Sequence, residues 1–484
     1  MNKIILILVL SLFSLNQAFS QRFLSLEDVV EIAINQSPAS KRAETRKENR
    51  YWAYRTFKSN YVPQLTLSGT LPDFRRRVEG VEQNDGSLLF VQKDNNFGEL
   101  ELQFVQTIAP TGGRVFISSN LSRFDNFLDG TYNFGGDPVT IGFFQPLFSF
   151  NELKWDQEIE PLRYEESKRN YVEEYEEIRE NSTALFFELL TAQVSLKIAE
   201  LNVASNDTIY KIAQGRYQLG KVTEDELLRL ELNLMNSRQQ VAQSNLDLET
   251  AKLTLKTYLG FNEEDQIELL VPSELPQFTV DEKLALEMAL QNRSDAIAFE
   301  RQRLEADRDV AQALGSTGLN ANLFGRFGLS NSGQSIGDLY IQPDNQLVAN
   351  MGFTIPVVDW GRQKARRKTA EANQQLVNYT VQQNQITFEQ EIITHVKRFR
   401  MLRDQVEISQ LADVISQKRY EIAKNRYLIG KISVTDFNIA LTDRDKAKQD
   451  YLLSLGNFWK AYFQLRRLTL YDFQENRLLY TPEE

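Results

Sequence analysis

The chain contains an internal duplication, and this feature constrains its fold more than any other property of the sequence. At an offset of 210 positions, RYQLGKVTEDELLRLE (216–231) returns in altered form as RYLIGKISVTDFNIAL (426–441). The same offset places GFFQPLFSFNELK (142–154) over GFTIPVVDWGRQK (352–364). Nearer the N-terminus the offset is 256, with AINQSPA (33–39) over ALQNRSD (289–295). The two copies are therefore one structural unit used twice, and the first carries 46 additional residues, the difference between the two offsets.

Each copy contains two long helical segments joined by a tight turn. Gly and Pro are absent from residues 362–429, and apolar residues recur there at helical spacing. We expect a single helix of about 100 Å, at 1.5 Å per residue. Its counterpart is predicted from about Pro161, a residue tolerated in a first turn, to residue 219. After each turn a helix resumes, over residues 223–259 and 433–470, so the sequence predicts two helical hairpins.

Local chemistry explains most residues at the two turns. A glycine in each turn can take the left-handed conformation that ends a helix, and a hydroxyl residue three positions later can cap the next one. An acidic residue follows each cap at the spacing of a capping box. The residues with these predicted roles are Gly220, Thr223 and Glu226 in the first turn and Gly430, Ser433 and Asp436 in the second. Capping does not explain the Arg-Tyr pair before each turn or the Lys after each glycine.

The remaining segments alternate between apolar and polar residues, as two-faced strands do. They are QLTLSGTL (64–71), RVFISSNL (114–121), VTIGFFQPLF (139–148), NANLFGRFGLS (320–330) and QLVANMGFTIPV (346–357). Strands of a membrane barrel need only about 9 to 11 residues, but a soluble sandwich shows the same alternation. Two to four strands cannot close a barrel in lipid, because every open edge leaves backbone groups unpaired. The chain must therefore form oligomers or remain soluble.

Composition narrows the class of protein. Residues 1–20 have a lysine, an apolar stretch and small residues before Gln21, which predicts a signal peptide and export from the cytoplasm. The chain has no cysteine, so disulfides, thiolate metal sites and an acylated N-terminal cysteine are excluded. A net charge of −11 argues against nucleic acid as a partner. We predict neither a cofactor, nor a metal site, nor an enzyme, because catalytic motifs are absent and the lone His395 lies in mid-helix.

The ordered duplication resembles the TolC-like outer membrane efflux protein family over nearly the whole chain, from about residue 24 to 471. The features in common are AINQSP, a strand hairpin, QPLF leading into a long helix, and RYQLGKVTEDELL at the turn. The resemblance implies a homotrimer in which each subunit gives four strands to one twelve-stranded barrel in the outer membrane. The helices would form a periplasmic tunnel. A periplasmic adaptor protein would meet the turns, and its inner membrane pump would drive export.

The resemblance also implies roles for individual residues. Those matching the family's adaptor-docking turns are Leu219, Gly220, Lys221, Val222, Ile429, Gly430, Lys431 and Ile432. Asp436 falls at a gate position of the family. A second gate position, three residues later, is Ile439 here, so a ring of paired carboxylates is not expected.

We therefore predict an α+β membrane protein, a trimeric transmembrane β-barrel continued by a long α-helical periplasmic tunnel. The predicted parts are a signal peptide (1–20), a first repeat (21–260), a linker (261–280), a second repeat (281–471) and a C-terminal tail (472–484). Barrel strands are expected at about 64–148 and 320–357, and helical hairpins at about 152–260 and 362–470. The predicted function is the channel subunit of a tripartite export system, a passive duct for small molecules or proteins. The alternative is a periplasmic coiled-coil protein without a pore, structural or adaptor-like.

The additional 46 residues leave two possibilities open. They include ELELQFVQTIAPTGGRVFISSNL (99–121), two strand-like runs about a Pro-Thr-Gly-Gly turn. If both runs enter the barrel, each subunit gives six strands and a trimer gives eighteen. If they form a surface loop, the barrel keeps twelve strands. The sequence alone favours the loop.

Overall fold

The computed structural model describes residues 22–261, 267–272 and 274–480. The predicted signal peptide and parts of the predicted linker and tail lie outside these ranges. The chain divides into two compact units, and each draws on both repeats. Of the described residues, the helical unit comprises those up to Glu48, those within Ser167–Ala296 and those from Gln385 onward. The strand unit comprises Asn49–Glu166 and Ile297–Asn384.

Eight α-helices occur in the described residues, and the four longest confirm the predicted helical hairpins. The bounds are α1 Leu26–Gln36, α2 Pro38–Ser59, α3 Glu152–Gln218, α4 Glu224–Leu259, α5 Glu282–Asn292, α6 Ser294–Gly315, α7 Arg362–Leu428 and α8 Val434–Thr469. Helices α3 and α7 each have 67 residues, and α4 and α8 each have 36. The duplication therefore extends to the lengths of the helices.

Of the two starts expected for α3, about residue 152 and about Pro161, the first is confirmed and the second is wrong. The helix begins at Glu152, and Pro161 lies inside it. Asn151 supplies the start signal, because its Oδ1 accepts a hydrogen bond from the Lys154 N–H at 3.4 Å. Ile159, between this start and the proline, is fully buried. Packing and a cap thus carry the helix through a residue that gives no backbone hydrogen bond.

The described residues also contain one 3-10 helix, Ile336–Tyr340, and ten strands. Their bounds are β1 Arg22–Leu24, β2 Gln64–Glu82, β3 Leu88–Ile108, β4 Gly113–Asn126, β5 Thr131–Leu147, β6 Ile267–Leu269, β7 Asn320–Gly333, β8 Asp344–Thr354, β9 Tyr471–Asp472 and β10 Arg477–Leu478. Six of them form one antiparallel sheet in the order β2-β3-β4-β5-β7-β8. The short strands pair as β1 with β6 and β9 with β10.

The expectation of a surface loop in the additional segment is wrong. Residues 99–121 belong to β3 and β4, which pair with each other without interruption from Ile108↔Gly113 to Asn95↔Asn126. Strand β3 also pairs with β2, and β4 also pairs with β5. The first repeat therefore supplies four strands of the sheet and the second supplies two.

The core of the helical unit joins the two repeats. Beside the turns, a buried cluster combines residues of both helical hairpins: Ile209, Ala213, Leu230, Tyr420, Tyr427, Val434, Phe437 and Leu441. Elsewhere in the unit the buried Arg466 of α8 pairs with Glu176 of α3 at 2.8 Å and also with Asp472. Because buried charges are costly unless they are paired, this cluster fixes α3, α8 and the C-terminal segment relative to one another.

Candidate functional site

The two turns that connect the long helices are closed by the same pair of backbone hydrogen bonds. In the first, the Gly220 N–H donates to the Tyr217 carbonyl at 2.9 Å, and the Lys221 N–H donates to the Arg216 carbonyl at 2.9 Å. The second repeats this with Gly430 to Tyr427 at 2.9 Å and Lys431 to Arg426 at 2.8 Å. Both glycines have positive φ, 66° and 73°. Each turn is therefore a Schellman motif, which needs a residue without Cβ strain.

The helix that follows each turn is capped by the predicted hydroxyl residue. Thr223 Oγ1 accepts the Glu226 N–H at 3.2 Å at the start of α4. At the start of α8 the capping box is complete, since Ser433 Oγ accepts the Asp436 N–H at 3.1 Å and the Asp436 carboxylate accepts the Ser433 N–H at 3.3 Å. The Asp436 carboxylate, for which a gate role is predicted, thus closes a helix cap here. Ile439, three residues later, is exposed.

The Arg-Tyr pair before each turn has a different use in each copy. Arg216 of the first turn donates to the Leu428 carbonyl of the second turn and so links the two. Tyr427 of the second turn is 3% exposed and stacks on Phe437 at 5.5 Å, whereas its counterpart Tyr217 is 41% exposed. In the first repeat the arginine therefore links the turns, and in the second repeat the tyrosine packs in the core. Capping alone could not predict this difference.

The residues matched to docking turns present an open surface. Leu219 and Ile429 are 73% and 65% exposed, although both are aliphatic. A Cβ added to Gly220 or Gly430 would meet no atom within 4 Å. Both lysine side chains, of Lys221 and Lys431, are exposed, Val222 is half-buried, and Ile432 packs against the buried cluster. Each turn thus offers an apolar residue, a bare glycine and a cation in succession.

A polar cluster near the turns was missed by the sequence analysis. The buried Arg444 of α8 donates to Asn202 Oδ1 of α3 at 2.7 Å, and its guanidinium lies 4.1 Å from the Tyr420 ring centre. Asn202 in turn donates to Asp445 at 2.6 Å, and Lys448 pairs with Asp413 of α7 at 3.0 Å. These contacts connect α3, α7 and α8. The run DRDKAK (443–448) has the pattern of a solvated charged face, so this role has no local signal in the sequence.

Neither a metal site nor a helical membrane span is found within residues 22–261, 267–272 and 274–480. No group of His, Cys, Asp and Glu in these ranges could hold a metal ion. The helices there also lack the combination of length and apolar content that crossing a bilayer requires.

Comparison with known proteins identifies a family whose model matches this chain. The family model described as "Outer membrane efflux protein" matches residues 117–261 and 285–469, which is more than half of the chain. A search of curated proteins finds no match.

Solved structures of outer membrane channels share the fold. CmeC, an outer membrane channel from Campylobacter jejuni, aligns with a TM-score of 0.66 and 17% identity, over 92% of this chain and 85% of its own. The outer membrane protein VceC from Vibrio cholerae aligns at 0.63 and 13% identity, over 92% and 95%. The MtrE outer membrane channel from Neisseria gonorrhoeae aligns at 0.60 and 15% identity, over 92% and 88%. The family match and the common fold lead to one conclusion: this chain belongs to the outer membrane efflux protein family.

Proposed function

We propose that three copies of this outer membrane efflux protein form a passive, water-filled duct, the outer membrane component of a tripartite export system. One observation carries the proposal. The six-stranded sheet exposes apolar side chains on one face, whereas its other face is mainly polar, and β2 and β8 each have a neighbour on one side only among the described residues. Lipid outside and water inside demand these two faces, and lipid requires that both edges be paired. Copies of the same chain can supply that pairing.

The non-channel alternative is disfavoured by the same sheet. A periplasmic coiled-coil protein would be surrounded by water. Exposed apolar side chains on every strand would then form a patch far larger than soluble monomers normally carry. The exposed residues include Leu67, Leu102, Phe143 and Met351, which come from four different strands. Among these two functions, the duct alone accounts for them.

We further propose that the turns dock a periplasmic adaptor, which in turn contacts an inner membrane pump. The support is the exposed surface of Leu219, Gly220 and Lys221, followed by the half-buried Val222, and its repeat at Ile429, Gly430 and Lys431, followed by the half-buried Ile432. Open space at both glycines lets a partner backbone approach closely. Energy for export comes from the pump, because a duct of this kind moves solutes only down a gradient. For Asp436 we retain a gate role as a proposal, with its carboxylate also serving the cap.

Assembly and conductance test the duct. Protein extracted from outer membranes in detergent should run as a trimer on a gel without heating and as a monomer after boiling. The trimer should conduct ions when it is inserted into a planar bilayer. A water-soluble monomer from the periplasm, with no conductance, would contradict the proposal.

Charge reversal tests the docking turns. We expect Lys221→Glu combined with Lys431→Glu to abolish export and adaptor crosslinking while the amount of trimer stays normal, because both side chains are exposed. Gly430→Trp, which fills the open space at the second turn, should act in the same way. Lys397→Glu, an exposed lysine in the middle of α7, is the matched control and should export normally. If export and adaptor crosslinking survived in the double variant, both turns would act only as helix caps.

A further inference from the structure

We propose that the additional hairpin widens the barrel, so that three copies close an eighteen-stranded wall in which β8 of one copy pairs with β2 of the next. This inference rests on the trimeric duct proposed above. It concerns the 46 additional residues of the first repeat, which the structure places in β3, β4 and their neighbours. The partner is a second copy of this chain, bound through the two free edges of the sheet.

The hydrogen-bond ladder makes β3 and β4 indispensable to the wall. Within the part of the chain that the structure describes, β2 pairs with β3 only, and β4 is the sole link between β3 and β5. If β3 and β4 lay outside the wall, β2 would lose its pairing with β3. Strand β5 would also lose its pairing with β4, and its exposed edge would need another strand as a partner. In lipid each unpaired backbone group costs several kcal/mol. The sheet as it stands avoids this cost at four of its six strands.

A transverse row of apolar residues runs without a break through the additional strands. The register pairs Leu65 with Phe104, Phe104 with Ile117, Ile117 with Ile141, Ile141 with Phe327 and Phe327 with Leu347. All six side chains are exposed. Each strand thus gives one apolar residue at the same level, and a loop in water has no need of such a row. The additional strands face the same medium as the others.

The neighbouring row shows the opposite character. Because the strands are antiparallel, it consists of the residues one position later in β2, β4 and β7 and one position earlier in β3, β5 and β8. They are Thr66, Gln103, Ser118, Thr140, Gly328 and Gln346, joined by the same ladder. None of these side chains is apolar. Because successive residues of a strand point to opposite faces, the polar row lies on the side that a water-filled channel requires. Both rows include β3 and β4, so the two-faced pattern is a property of six strands.

The turn between β3 and β4 is fixed at the end of the sheet where the long helices begin. Asn151, which caps α3, donates through Nδ2 to the Ala109 carbonyl at 2.8 Å. Gln145 of β5 donates to the Thr111 carbonyl at 2.9 Å. Gly112 has a φ of 69°, which permits the tight reversal. The hairpin therefore returns at the same level as the other strand ends, as a wall hairpin must.

The strand ends also carry the stagger of a closed barrel. Along the apolar row, β2 begins one residue from Leu65, at Gln64, whereas β8 ends seven residues from Leu347, at Thr354. If these ends lie level at the membrane surface, the register shifts by about one residue per strand. With a rise of about 3.3 Å and a strand spacing of about 4.8 Å, that shift gives a tilt of about 35°, within the usual range for barrels.

The strand number sets the width of the channel. At this spacing and tilt, eighteen strands enclose a barrel of about 34 Å between backbones, against about 22 Å for twelve strands. Barrels of 16 to 18 strands leave an open aqueous channel. The wider wall places no tight constriction at the outer membrane, so bulky solutes can leave once they have passed the periplasmic part.

The stagger predicts which residues of neighbouring copies meet. Apolar residues must face lipid on both sides of the new contact, which restricts the register to steps of two. If the start of β2 and the end of β8 lie level at the contact between copies, Leu67 of β2 in one copy lies opposite Met351 or Phe353 of β8 in the next. Both possibilities keep the tilt between about 35° and 45°.

Cysteine crosslinking tests the contact, and the chain has no cysteine of its own. We expect Leu67→Cys combined with Met351→Cys or with Phe353→Cys to give a covalent ladder that ends at three copies. The links are formed in isolated outer membranes by oxidation or a short bifunctional thiol reagent, and they are read on a denaturing gel after boiling. Each single variant should remain monomeric on that gel. Within one chain, Ile117→Cys should link to Ile141→Cys, its direct partner.

Different outcomes would overturn different claims. A link between copies from Ile117→Cys to Met351→Cys, or a link within one chain from Leu67→Cys to Ile141→Cys, would show that β3 has left the wall. Either result would overturn the wide barrel and leave the trimeric duct intact. Failure of both Leu67 pairs to link in a protein that still runs as an unheated trimer would also overturn it. A ladder ending at another number of copies would instead contradict the trimer while preserving the contact between β8 and β2.

Discussion

The two repeats agree in their helices and differ in their strands. Both long helices have 67 residues and both return helices have 36, whereas the first repeat gives the sheet four strands and the second gives it two. A hairpin added to a sheet enters and leaves at the same end, so it does not move the helices that follow. Residues added to one long helix, by contrast, would displace its turn from the turn of the other repeat. The sheet is thus the part of this fold that can grow.

The turns add a second difference, in side chains on backbones that share the same two closing hydrogen bonds. The Arg216 guanidinium joins the two turns, whereas Arg426 is exposed. Tyr427 is buried against Phe437, whereas Tyr217 is largely exposed. Duplication thus preserved the backbone chemistry, and packing against neighbouring helices then gave each copy a different role.

The largest expected effect compares lipid-facing residues of the two repeats. An arginine at the bilayer midplane of a barrel costs about 2–4 kcal/mol, and a trimer bears that cost three times. We expect Ile117→Arg in β4 and Met351→Arg in β8 to reduce assembled trimer in outer membranes to a similar extent. Ser118→Arg and Asn350→Arg, one residue along on the polar face, should be tolerated. If Ile117→Arg assembled normally and Met351→Arg did not, the strands of the two repeats would not face the same medium.

The next effect separates the two tyrosines before the turns. Tyr427→Ala removes a buried ring from the cluster and should lower the free energy of unfolding by about 3–5 kcal/mol. Tyr217→Ala should cost under about 1 kcal/mol, because its ring is already in contact with solvent. Thermal unfolding of the detergent-solubilised trimer measures both. Equal costs for the two substitutions would mean that Tyr217 is covered in the assembled protein.

A smaller effect compares the two helix caps. Ser433→Ala removes the hydroxyl of a complete capping box and should cost about 1 kcal/mol, within the range of about 0.5–2 kcal/mol for such caps. Thr223→Ala removes one backbone hydrogen bond and should cost no more than this. Thermal unfolding again provides the measurement, and hydrogen exchange at the amides of α4 and α8 locates the change. A larger cost at Thr223 would show that the first turn depends more on its cap than the second.

The smallest expected effect concerns the lone histidine, which stands where the first repeat has Leu185. Burial lowers the pKa of His395, and the nearby Arg398, Arg467 and Arg293 act in the same direction, against Glu391. The folded protein therefore binds this proton less readily than the unfolded chain, so His395 contributes stability above the unfolded pKa that is lost as pH falls. The unfolding midpoint should drop between pH 7.5 and pH 5.5 by slightly less in His395→Leu than in the parent. An identical drop in both proteins would show that His395 does not contribute to the pH dependence of the unfolding midpoint.

Most of the helical architecture could be predicted because its determinants lie close together in the sequence. The absence of Gly and Pro over residues 362–429, and the Gly and hydroxyl residues at fixed offsets, gave α7 and both turns to within a residue or two. For α3 the sequence offered two starts, about residue 152 and about Pro161, because Pro161 is a familiar first-turn residue. The cap residue Asn151, ten residues before Pro161, selects the earlier start. For the docking residues and for the gate role of Asp436, the sequence provides predictions that only experiments on the assembled complex can test.

The sequence by itself determined the duplication, the helical hairpins, the turn geometry and the two-faced character of each strand. Each of these depends on contacts within a few residues, or on a period that can be counted along the chain. The tertiary structure alone decided that β3 and β4 join the sheet, because a wall hairpin and a surface hairpin have the same local pattern. It also decided that Tyr427 is buried and Tyr217 is not, since the same residue type follows the same helix in both copies. Strand pairing and side-chain burial depend on groups far apart in the sequence, so a local sequence pattern cannot predict either of them.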